Sequence, residues 1–376
     1  MPPTPLQTQH AAVLYGPKDL RYEERTLWPP RPNEAQVKVV ATGLCGSDLH
    51  YYVHGRNGDF ALQAPLVLGH ESAGIVTAVG SSVRNLVIGQ RVAIEAGVMC
   101  NDCGYCSKGR YNLCKGLRFA SSAKTFPHLD GTLQQYMNHP AHVLHPLPDD
   151  CSYELGALAE PLSVLLHAAS RADLQQGQKV LVFGVGSIGL LACALAKSKG
   201  ASKVMAIDIN QTRLDFAKSN GFAEDVHCLP VGERAKSAEE GLKQAKEKIT
   251  SALLQFGEEE GFDVIFECTG AEPCIQMSVH AAITGGKVML IGMGSRNVLL
   301  PLSTAALREV DIHGSFRYAN TYPTAIKLLN SGKLGNVEKL ISHRMLLEDT
   351  AKAFNLLSRG KDDSGNMVLK IVVGSS

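Results

Sequence analysis

The first part of the chain alternates short β-branched runs with turn residues. Residues 36–41 and 73–79 are rich in Val, Ile or Thr, and glycine closes each run. Prolines and glycines between residues 29 and 89 mark the turns. This pattern predicts a compact β-barrel-type domain, whose loops can carry functional side chains.

Longer apolar strands replace this pattern in the middle of the chain. Lys179–Phe183 is a continuous apolar run of the kind that is buried in a parallel sheet. A helical stretch over Leu190–Lys199 and a second apolar strand over Lys203–Ile207 follow it. Segments 262–270 and 286–294 are further apolar runs that end in glycine, so they predict more strands of the same parallel sheet.

Two segments remain outside these patterns. Residues 232–256 are charged, and their apolar residues at near-helical spacing predict an amphipathic surface helix: Leu242, Ala245, Ile249, Leu253 and Leu254. The tail from Ser303 contains β-prone residues at 311–317, a helix over Pro323–Leu329 and a final strand over Met367–Val373. We expect this tail to return to the first domain rather than complete the nucleotide sheet.

Composition limits the class of protein. A length of 376 residues predicts two domains, and 37 basic against 36 acidic residues leave no excess charge for nucleic acid or anionic membranes. The N-terminus has no signal-peptide pattern and no apolar run approaches a membrane span, so we expect a cytoplasmic location. Ten cysteines in such a chain indicate metal ligation and free thiols rather than disulfides.

A glycine-rich turn follows the first strand of the parallel sheet. Gly184, Gly186 and Gly189 form a G-x-G-x-x-G turn, and Asp208 ends the next strand. This arrangement predicts a dinucleotide site in which the helix N-terminus binds the pyrophosphate and Asp208 binds ribose hydroxyls. The carboxylate would repel a 2′-phosphate, so NAD is favoured over NADP. Arg213 either packs on adenine or contacts phosphate, or it is a solvated surface residue.

The carboxyl edge of the same sheet is where an open α/β sheet binds its ligand. Ile291, Gly292 and Met293 follow an apolar strand at this edge. We therefore predict that they lie beside the nicotinamide.

Four cysteines give the sharpest local signal of the chain: Cys100, Cys103, Cys106 and Cys114. Four thiolates at this spacing can close a tetrahedral structural zinc site. A bacterial-type iron–sulfur run would have its fourth cysteine after three residues and a following proline. Here the fourth follows after seven residues, and Lys115 comes next.

A second candidate metal site lies upstream. Cys45, His70 and Glu71 supply a thiol, an imidazole and a carboxylate, and three such ligands leave a fourth zinc position open for water or substrate. Glu160 precedes a proline at a predicted helix entrance. It either faces this zinc or simply provides favourable charge at the helix N-terminus.

These motifs occur in the order found in the zinc-containing medium-chain dehydrogenases, which the chain resembles over nearly its whole length. Glu160–Ser163 is a further motif of the same superfamily. Other segments resemble its polyol branch, which includes sorbitol, xylitol and L-arabinitol dehydrogenases: Asn112, Glu267–Glu272, Arg308–Asp311 and Phe316–Thr321. The resemblance implies an α/β protein with a GroES-like β-barrel-type catalytic domain over 1–165 and 303–376, including a structural zinc lobe at 97–117. It also implies a Rossmann doubly wound parallel-sheet domain over 166–302, and a homotetramer.

The resemblance also assigns roles to single residues. Cys45 and His70 become catalytic zinc ligands, and either Glu71 or Glu160 is the third ligand, directly or through water. Ser47 joins them in the catalytic set. The implied substrate contacts are Tyr51, Phe60, Glu160, Arg317 and Tyr318. The implied cofactor contacts are Gly184, Gly186, Ile188, Gly189, Asp208, Arg213, Ile291, Gly292, Met293, Ser315, Phe316 and Arg317.

The expected activity is oxidation of a secondary hydroxyl of a sugar alcohol to the ketose, with NAD as hydride acceptor and two zinc ions per chain. Zinc would act as a Lewis acid on the alcohol oxygen, and Glu71, Glu160 or Ser47 would pass on the proton. Phe60 favours sorbitol or xylitol over L-arabinitol as substrate. The rival interpretations are a non-catalytic NAD-binding relative and a zinc-free quinone reductase. The first predicts a broken ligand set and the second predicts the loss of Cys45 and the cysteine lobe.

Overall fold

The computed structural model describes residues 7–231, 235–295 and 297–374. In chain order, its strands are β1 (Gln7–Gly16), β2 (Asp19–Leu27), β3 (Glu34–Gly43), β4 (Arg56–Asn57), β5 (Phe60–Ala61), β6 (Leu66–Val67), β7 (Glu71–Val79), β8 (Arg91–Ile94), β9 (Gly97–Val98), β10 (Arg118–Phe119), β11 (Tyr136–Pro140), β12 (Leu144–Pro146), β13 (Lys179–Phe183), β14 (Lys203–Asp208), β15 (Asp225–Cys228), β16 (Phe262–Glu267), β17 (Ala282–Leu290), β18 (Asp311–Gly314), β19 (Ile341–Leu346) and β20 (Lys370–Gly374).

The α-helices are α1 (Gly46–His54), α2 (Gly104–Ser107), α3 (Tyr153–Ala157), α4 (Ala159–Arg171), α5 (Ser187–Ser198), α6 (Gln211–Ser219), α7 (Ala238–Phe256), α8 (Glu272–Ala281), α9 (Leu302–Ala306), α10 (Tyr322–Asn330) and α11 (Thr350–Arg359). Short 3₁₀ helices cover Tyr111–Leu113, Ala141–Val143, Val337–Leu340 and Leu347–Asp349.

The chain divides into two compact units. The first contains the described residues of Met1–Ser163, Ala319–Ser331 and Glu338–Ser376, and the second those of Val164–Tyr318 and Gly332–Val337. The predicted catalytic domain began at residue 1 and ended at 376, and its first six and last two residues lie outside the described part of the chain.

A seven-stranded sheet forms the centre of the first unit. Its strand order is β12-β8-β7-β3-β20-β19, and β11 pairs with a further stretch of β3. The β-branched runs predicted at 36–41 and 73–79 form most of β3 and β7, which pair antiparallel. β20 lies between β3 and β19, so the predicted return of the final strand to the first domain is confirmed.

The second unit is built on a six-stranded sheet with all strands parallel. Its order is β15-β14-β13-β16-β17-β18, which is the doubly wound arrangement of two mononucleotide-binding halves. The central strands are apolar along their length, because helices cover both faces of such a sheet. The predicted Rossmann fold is confirmed.

One predicted boundary needs correction. We expected the nucleotide domain to end at residue 302, but β18 at Asp311–Gly314 pairs parallel with β17 and completes the sheet. The second unit therefore continues to Tyr318. The sequence signal is weak because β18 is an edge strand, and its four residues are exposed or only half-buried.

The predicted amphipathic helix is present as α7. Ser237 accepts a hydrogen bond from the Glu240 amide at its start, as expected of an N-cap residue. Ala245, Ile249 and Leu253 are buried as predicted, whereas Leu254 is exposed. Ala252 and Phe256 complete the buried face instead. The first residues of the prediction, 232–234, lie outside the described part of the chain.

Across the described residues, no helix combines the length and apolar character that crossing a membrane requires.

Candidate metal centres and nucleotide site

A thiol, an imidazole and a carboxylate converge in the first unit. Cys45 is the N-cap residue of α1, Glu71 is the first residue of β7, and His70 precedes it. Ligand atoms of the three side chains all lie within 4.8 Å of one another. Gly69 has φ +91°, and a side chain there would collide with Thr42 and the 131–133 segment, so glycine is required at the turn.

Asp48 fixes the orientation of His70. Its buried carboxylate lies 3.2 Å from His70 Nδ1, and it also accepts hydrogen bonds from the Gly69 amide and the Ser121 hydroxyl. The other ring nitrogen, Nε2, lies 3.4 Å from Ser47 Oγ, which donates to Cys45 Sγ at 3.3 Å. A carboxylate on one ring nitrogen is the usual arrangement of a metal-binding histidine, because it leaves the other nitrogen free for the ion.

The charges around His70 suit a cation. Burial disfavours the imidazolium, but the nearby Asp48 and Cys45 outweigh burial and raise the pKa of His70 well above its ordinary value. Burial alone would raise the pKa of Asp48, yet His70 and the hydrogen-bond donors hold it below its usual range. The charges around the cluster thus favour a cation close to His70 Nε2 and the Cys45 thiol.

Lys370 binds Glu71 from the far end of the chain. Its Nζ lies 2.9 and 2.6 Å from the two carboxylate oxygens and also donates to the Leu44 carbonyl at 3.0 Å. Both side chains are almost fully buried. Burial lowers the pKa of Lys370, but Glu71, Cys45 and Glu160 together raise it above its ordinary value. The lysine therefore stays charged and is the cationic partner of Glu71 beside Cys45 and His70.

The donor set of this cluster fits zinc, since thiolate, imidazole and carboxylate are its usual ligands. Glu160 is buried in the first turn of α4, but its carboxylate is not among the ligand atoms that lie within 4.8 Å of one another. Its influence on Lys370 shows that it lies within electrostatic range of the cluster. Direct ligation by Glu71 or by Glu160 stays a prediction.

The four-cysteine lobe forms a second cluster in the first unit. β9 and β10 pair antiparallel at its base, and Cys100, Cys103, Cys106 and Cys114 converge within it. The Sγ–Sγ distances are 3.9 Å (100–106), 3.6 Å (103–106) and 3.4 Å (114–100). A tetrahedral zinc with Zn–S bonds of 2.3 Å would need sulfurs about 3.8 Å apart, so the geometry fits a closed zinc site.

The thiols of the lobe differ in their pKa values. A hydrogen bond from the Cys106 amide is the main cause that lowers the pKa of Cys103 to about 6. Burial and the neighbouring thiols raise the pKa of Cys106 to about 12. The protein alone therefore does not carry four negative charges here at neutral pH, and a divalent cation would displace the remaining protons.

The predicted substrate residues of the first unit differ in their surroundings. Tyr51 is 2% exposed within the core, and its hydroxyl accepts a hydrogen bond from the Ala123 amide. Phe60 is half-buried in the short β4–β5 ribbon. Ser47 lies beside Cys45 and His70 as given above. Contact of Tyr51 and Phe60 with substrate stays a prediction.

The glycine-rich turn of the second unit has the shape that a dinucleotide needs. Gly184 has φ +86°, Gly186 is the N-cap residue of α5, and a Cβ at Gly189 would lie 1.7 Å from the Gly184 carbonyl oxygen. Gly184 and Gly189 therefore require glycine, and Gly186 leaves the N-terminus of α5 open, as in sites that bind a pyrophosphate. Ile188 lies in the first turn of α5.

Asp208 ends β14 beside this turn. Its Oδ2 accepts the Val185 amide at 2.7 Å, and its Oδ1 accepts the amides of Ile209 at 2.7 Å and Asn210 at 2.9 Å. The carboxylate is thus fixed at the position where ribose hydroxyls are bound in this fold. Arg213 is half-buried in the first turn of α6, where its amide bonds to the Asn210 side chain.

The remaining predicted cofactor residues follow the last two strands of the second unit. The amides of Ile291 and Gly292 both donate to the Glu267 carbonyl, and Met293 is 62% exposed. Ser315 and Phe316 follow β18, and the Arg317 guanidinium lies over the Phe316 ring at 4.9 Å. These residues share the carboxyl edge of the sheet, although contact with a cofactor stays a prediction.

Sequence reasoning gave no role to two residues that bond to the Cys45, His70 and Glu71 cluster. Asp48 was visible only as the acid three residues after Cys45, a spacing that places it in the first turn of α1. Lys370 has no local signal, because its contact with Glu71 depends on where β20 inserts into the sheet.

A parallel-sheet dinucleotide fold and two thiol-containing metal clusters define a metal-dependent dehydrogenase. Residues 31–149 match the alcohol dehydrogenase GroES-like domain and residues 187–331 match the zinc-binding dehydrogenase family. The chain therefore belongs to the zinc-binding dehydrogenases, and within them to the polyol branch that contains the relatives below.

Two relatives are named for polyols or their ketoses. Sorbitol dehydrogenase of Bos taurus is 43% identical over 350 residues, which are 93% of this chain and 92% of the relative. D-xylulose reductase A of Aspergillus niger is 40% identical over 352 residues, 93% of each chain. Among solved structures, L-idonate 5-dehydrogenase from Escherichia coli is 30% identical with a TM-score of 0.84, covering 98% of both chains.

Proposed function

We propose that this enzyme oxidises a secondary hydroxyl of a sugar alcohol to the ketose and transfers the hydride to NAD. The observation that carries the proposal is the convergence of Cys45, His70 and Glu71, in a chain 43% identical to a sorbitol dehydrogenase. Zinc bound by these residues would supply a Lewis acid for the alcohol oxygen, which makes its proton easier to remove.

The protein groups around the cluster suit the removal of that proton. Ser47 Oγ lies 3.3 Å from Cys45 Sγ and 3.4 Å from His70 Nε2, so it is within reach of a hydroxyl bound at the same position. Asp48 holds the His70 ring in one orientation, and Lys370 forms an ion pair with Glu71. Ser47 would relay the alcohol proton, passing its own hydroxyl proton on as it accepts the new one, with Glu71 or Glu160 as the final acceptor.

Cofactor choice rests on Asp208. Its carboxylate is fixed by three backbone amides, so it can accept hydrogen bonds from the adenosine ribose but would repel a 2′-phosphate. This supports NAD over NADP. The family resemblance adds Arg317 and Tyr318 as the residues that would bind the hydroxyls of the polyol.

The substrate preference follows the relatives and Phe60. One relative is named for sorbitol and another for D-xylulose, a ketose whose reduction yields xylitol. We therefore propose sorbitol or xylitol as the substrate, with L-arabinitol as the alternative. A homotetramer and a cytoplasmic location stay predictions, and light scattering of the purified enzyme tests the first.

A panel assay tests the function. Sorbitol, xylitol and L-arabinitol are each offered with NAD and with NADP, before and after treatment with a zinc chelator. We expect NAD-dependent turnover of sorbitol or xylitol that the chelator removes and added zinc restores. Turnover that survives complete zinc removal would support a zinc-free reductase, and no turnover with any alcohol would support a non-catalytic relative.

A further inference from the structure

Two imidazoles stack on one another at the surface of the first unit. His50 and His54 both belong to α1, and both side chains are exposed. Their ring centroids lie 6.1 Å apart, and the ring planes are inclined by 29°. His10 and His145 also stack, but each of these lies against a tyrosine ring. The pair on α1 therefore brings together two nitrogen ligands of the type that most often binds metals.

The spacing of the two histidines explains their contact. Side chains four residues apart lie on the same face of an α-helix, one turn above the other. The helix is regular at both ends, because the Leu49 amide donates to the Cys45 carbonyl at 3.1 Å and the Gly55 amide to the Tyr51 carbonyl at 2.8 Å. Histidines at i and i+4 on one helix face are a pair that can share a zinc ion.

The distance between the rings is close to that of a chelating pair. Metal–nitrogen bonds of about 2.0–2.1 Å place two imidazoles on one ion with their centroids roughly 4.6–5.3 Å apart, at coordination angles of about 90–109°. The observed 6.1 Å exceeds this separation by about 1 Å. A small rotation of the two side chains removes the difference, because both are exposed and solvent does not hinder the rotation.

The ring nitrogens of this pair are available to a ligand. Among the described residues, neither imidazole makes a hydrogen bond or an ion pair. His227, by contrast, is hydrogen-bonded to the Gln255 side chain. His54 is also the last residue of α1, and the C-terminal end of a helix carries a partial negative charge that favours a cation. Free ligands and local charge thus both suit a metal ion.

We propose that His50 and His54 together bind a divalent transition-metal ion that prefers imidazole ligands, such as Ni²⁺, Cu²⁺ or Zn²⁺. This site is additional to the two candidate zinc sites, since neither histidine belongs to the Cys45 cluster or to the four-cysteine lobe. Two imidazoles fill two coordination positions and water fills the others, so the ion exchanges with solvent. The bound ion joins successive turns of α1 and stabilises that helix. The site needs neither polyol nor NAD, so it does not rest on the proposed function.

Ni²⁺ added to the zinc-loaded enzyme tests the site, because nickel and zinc can be counted separately. Calorimetric titration gives the affinity and stoichiometry of Ni²⁺, elemental analysis gives the zinc content, and thermal unfolding gives the effect of Ni²⁺ on stability. His54→Gln removes one of the two ligands. His10→Gln is the matched control, since His10 is also exposed and stacked, but on Tyr22 rather than on an imidazole.

We expect the wild type to bind Ni²⁺ at this site without a change in its zinc content. His54→Gln should lower the Ni²⁺ affinity roughly 10- to 100-fold, because the second imidazole of a chelating pair binds intramolecularly. His50→Gln should have the same effect. Ni²⁺ should raise the melting temperature of the wild type and of His10→Gln but not of His54→Gln, since the ion binds the folded helix better than the unfolded chain.

Three results would overturn the histidine site. Equal Ni²⁺ affinity in the wild type and in His54→Gln would show that nickel binds elsewhere. Release of zinc on addition of Ni²⁺, with no further nickel bound, would show that nickel enters only the cysteine-containing sites. Absence of Ni²⁺ binding to the wild type would exclude the pair as a ligand set. None of these results bears on polyol oxidation, which the panel assay tests separately.

Discussion

Lys370 Nζ lies 2.6 Å from Oε2 of Glu71, although 299 positions of sequence separate the two residues. The pair is almost fully buried, and it lies beside Cys45 and His70. Removing one partner of a buried ion pair is strongly destabilising, because the other charge is left uncompensated. The strand β20 thus supplies the cation that faces Glu71 beside Cys45 and His70.

The first prediction concerns this pair. Lys370→Met leaves the Glu71 carboxylate buried without its cation, so we expect the free energy of unfolding to fall by about 3–5 kcal/mol. The double variant Lys370→Met/Glu71→Gln should recover a large part of this loss, because no unpaired charge remains. Denaturant unfolding of the two single variants and the double variant gives the coupling energy. A double variant no more stable than Lys370→Met would contradict the pairing.

The second prediction concerns Asp48. Asp48→Asn keeps the shape of the side chain but removes the charge that faces His70 Nδ1, so we expect zinc affinity to fall roughly 10- to 100-fold. Competition with a chromogenic chelator measures it. Ser121→Ala is the control, since it removes one hydrogen bond to Asp48 but leaves the carboxylate. Equal affinity in Asp48→Asn and the wild type would mean that the carboxylate does not support the metal ligand.

The third prediction separates metal chemistry from cofactor binding. Cys45→Ser removes the sulfur ligand of the candidate Cys45, His70 and Glu71 zinc site, and we expect turnover to be abolished while NAD affinity stays within about twofold, because the nucleotide turn lies in the other unit. Calorimetric titration with NAD and a turnover assay check the two halves. Cys274→Ser, a thiol of the second unit, should keep its activity. Normal turnover in Cys45→Ser would remove this residue from the catalytic set.

The fourth prediction concerns Asp208. Asp208→Ser removes the charge that would face a 2′-phosphate, and we expect the NAD-to-NADP ratio of kcat/KM to fall by about tenfold or more, since one such repulsion is worth about 1–2 kcal/mol. Asp215→Ser is a matched control, because this acid lies on the exposed side of α6 and bonds to Gln211. An unaltered ratio in Asp208→Ser would count against the ribose contact.

The fifth prediction is a pH effect on stability. His139 is buried and its Nε2 donates to the Glu95 carbonyl, and burial lowers its pKa to about 4. Its unfolded pKa is about 6.5, so unfolding takes up a proton below that pH. The stability that the neutral ring provides is complete above pH 6.5 and is lost as pH falls towards 4, by up to about 3 kcal/mol.

Substitution isolates this effect. His139→Gln can keep the bond to the Glu95 carbonyl without titrating, so the slope of unfolding free energy against pH should be smaller between pH 6.5 and 5. His10→Gln, at an exposed position of β1, should keep the wild-type slope. Parallel curves for the wild type and His139→Gln would show that His139 does not titrate as stated.

Local patterns predicted much of this fold. Three features could be predicted because each requires particular residues at fixed spacing. The turn at 184–189 needs glycine for close backbone approach, the strands need apolar residues for burial on both faces, and the zinc lobe needs four cysteines as ligands. Features set by long-range pairing were not visible. β18 was assigned to the wrong domain because an edge strand needs little apolar character. No local pattern indicates that Lys370 contacts Glu71 or that the Asn320 amide donates to the Tyr111 hydroxyl.

The candidate site shows the same division. Cys45, His70 and Glu71 stand out as zinc-binding residue types near glycines, and the structure brings them together. The groups that set their charge and orientation lie elsewhere in the sequence or look like ordinary helix-capping residues, as Asp48 does. Predicting them requires the register of β3, β7 and β20, which depends on the packing of the whole sheet.

Because β20 lies between β3 and β19, the two units can complete their folding only in a particular order during synthesis. The nucleotide-binding unit is complete once Val337 has been synthesised, so it can fold while the remaining residues are still being added. The other unit lacks an inner strand, and Lys370 with it, until residues 370–374 of β20 have been synthesised. Until then its earlier strands keep an unpaired edge, and such an edge can pair with other chains.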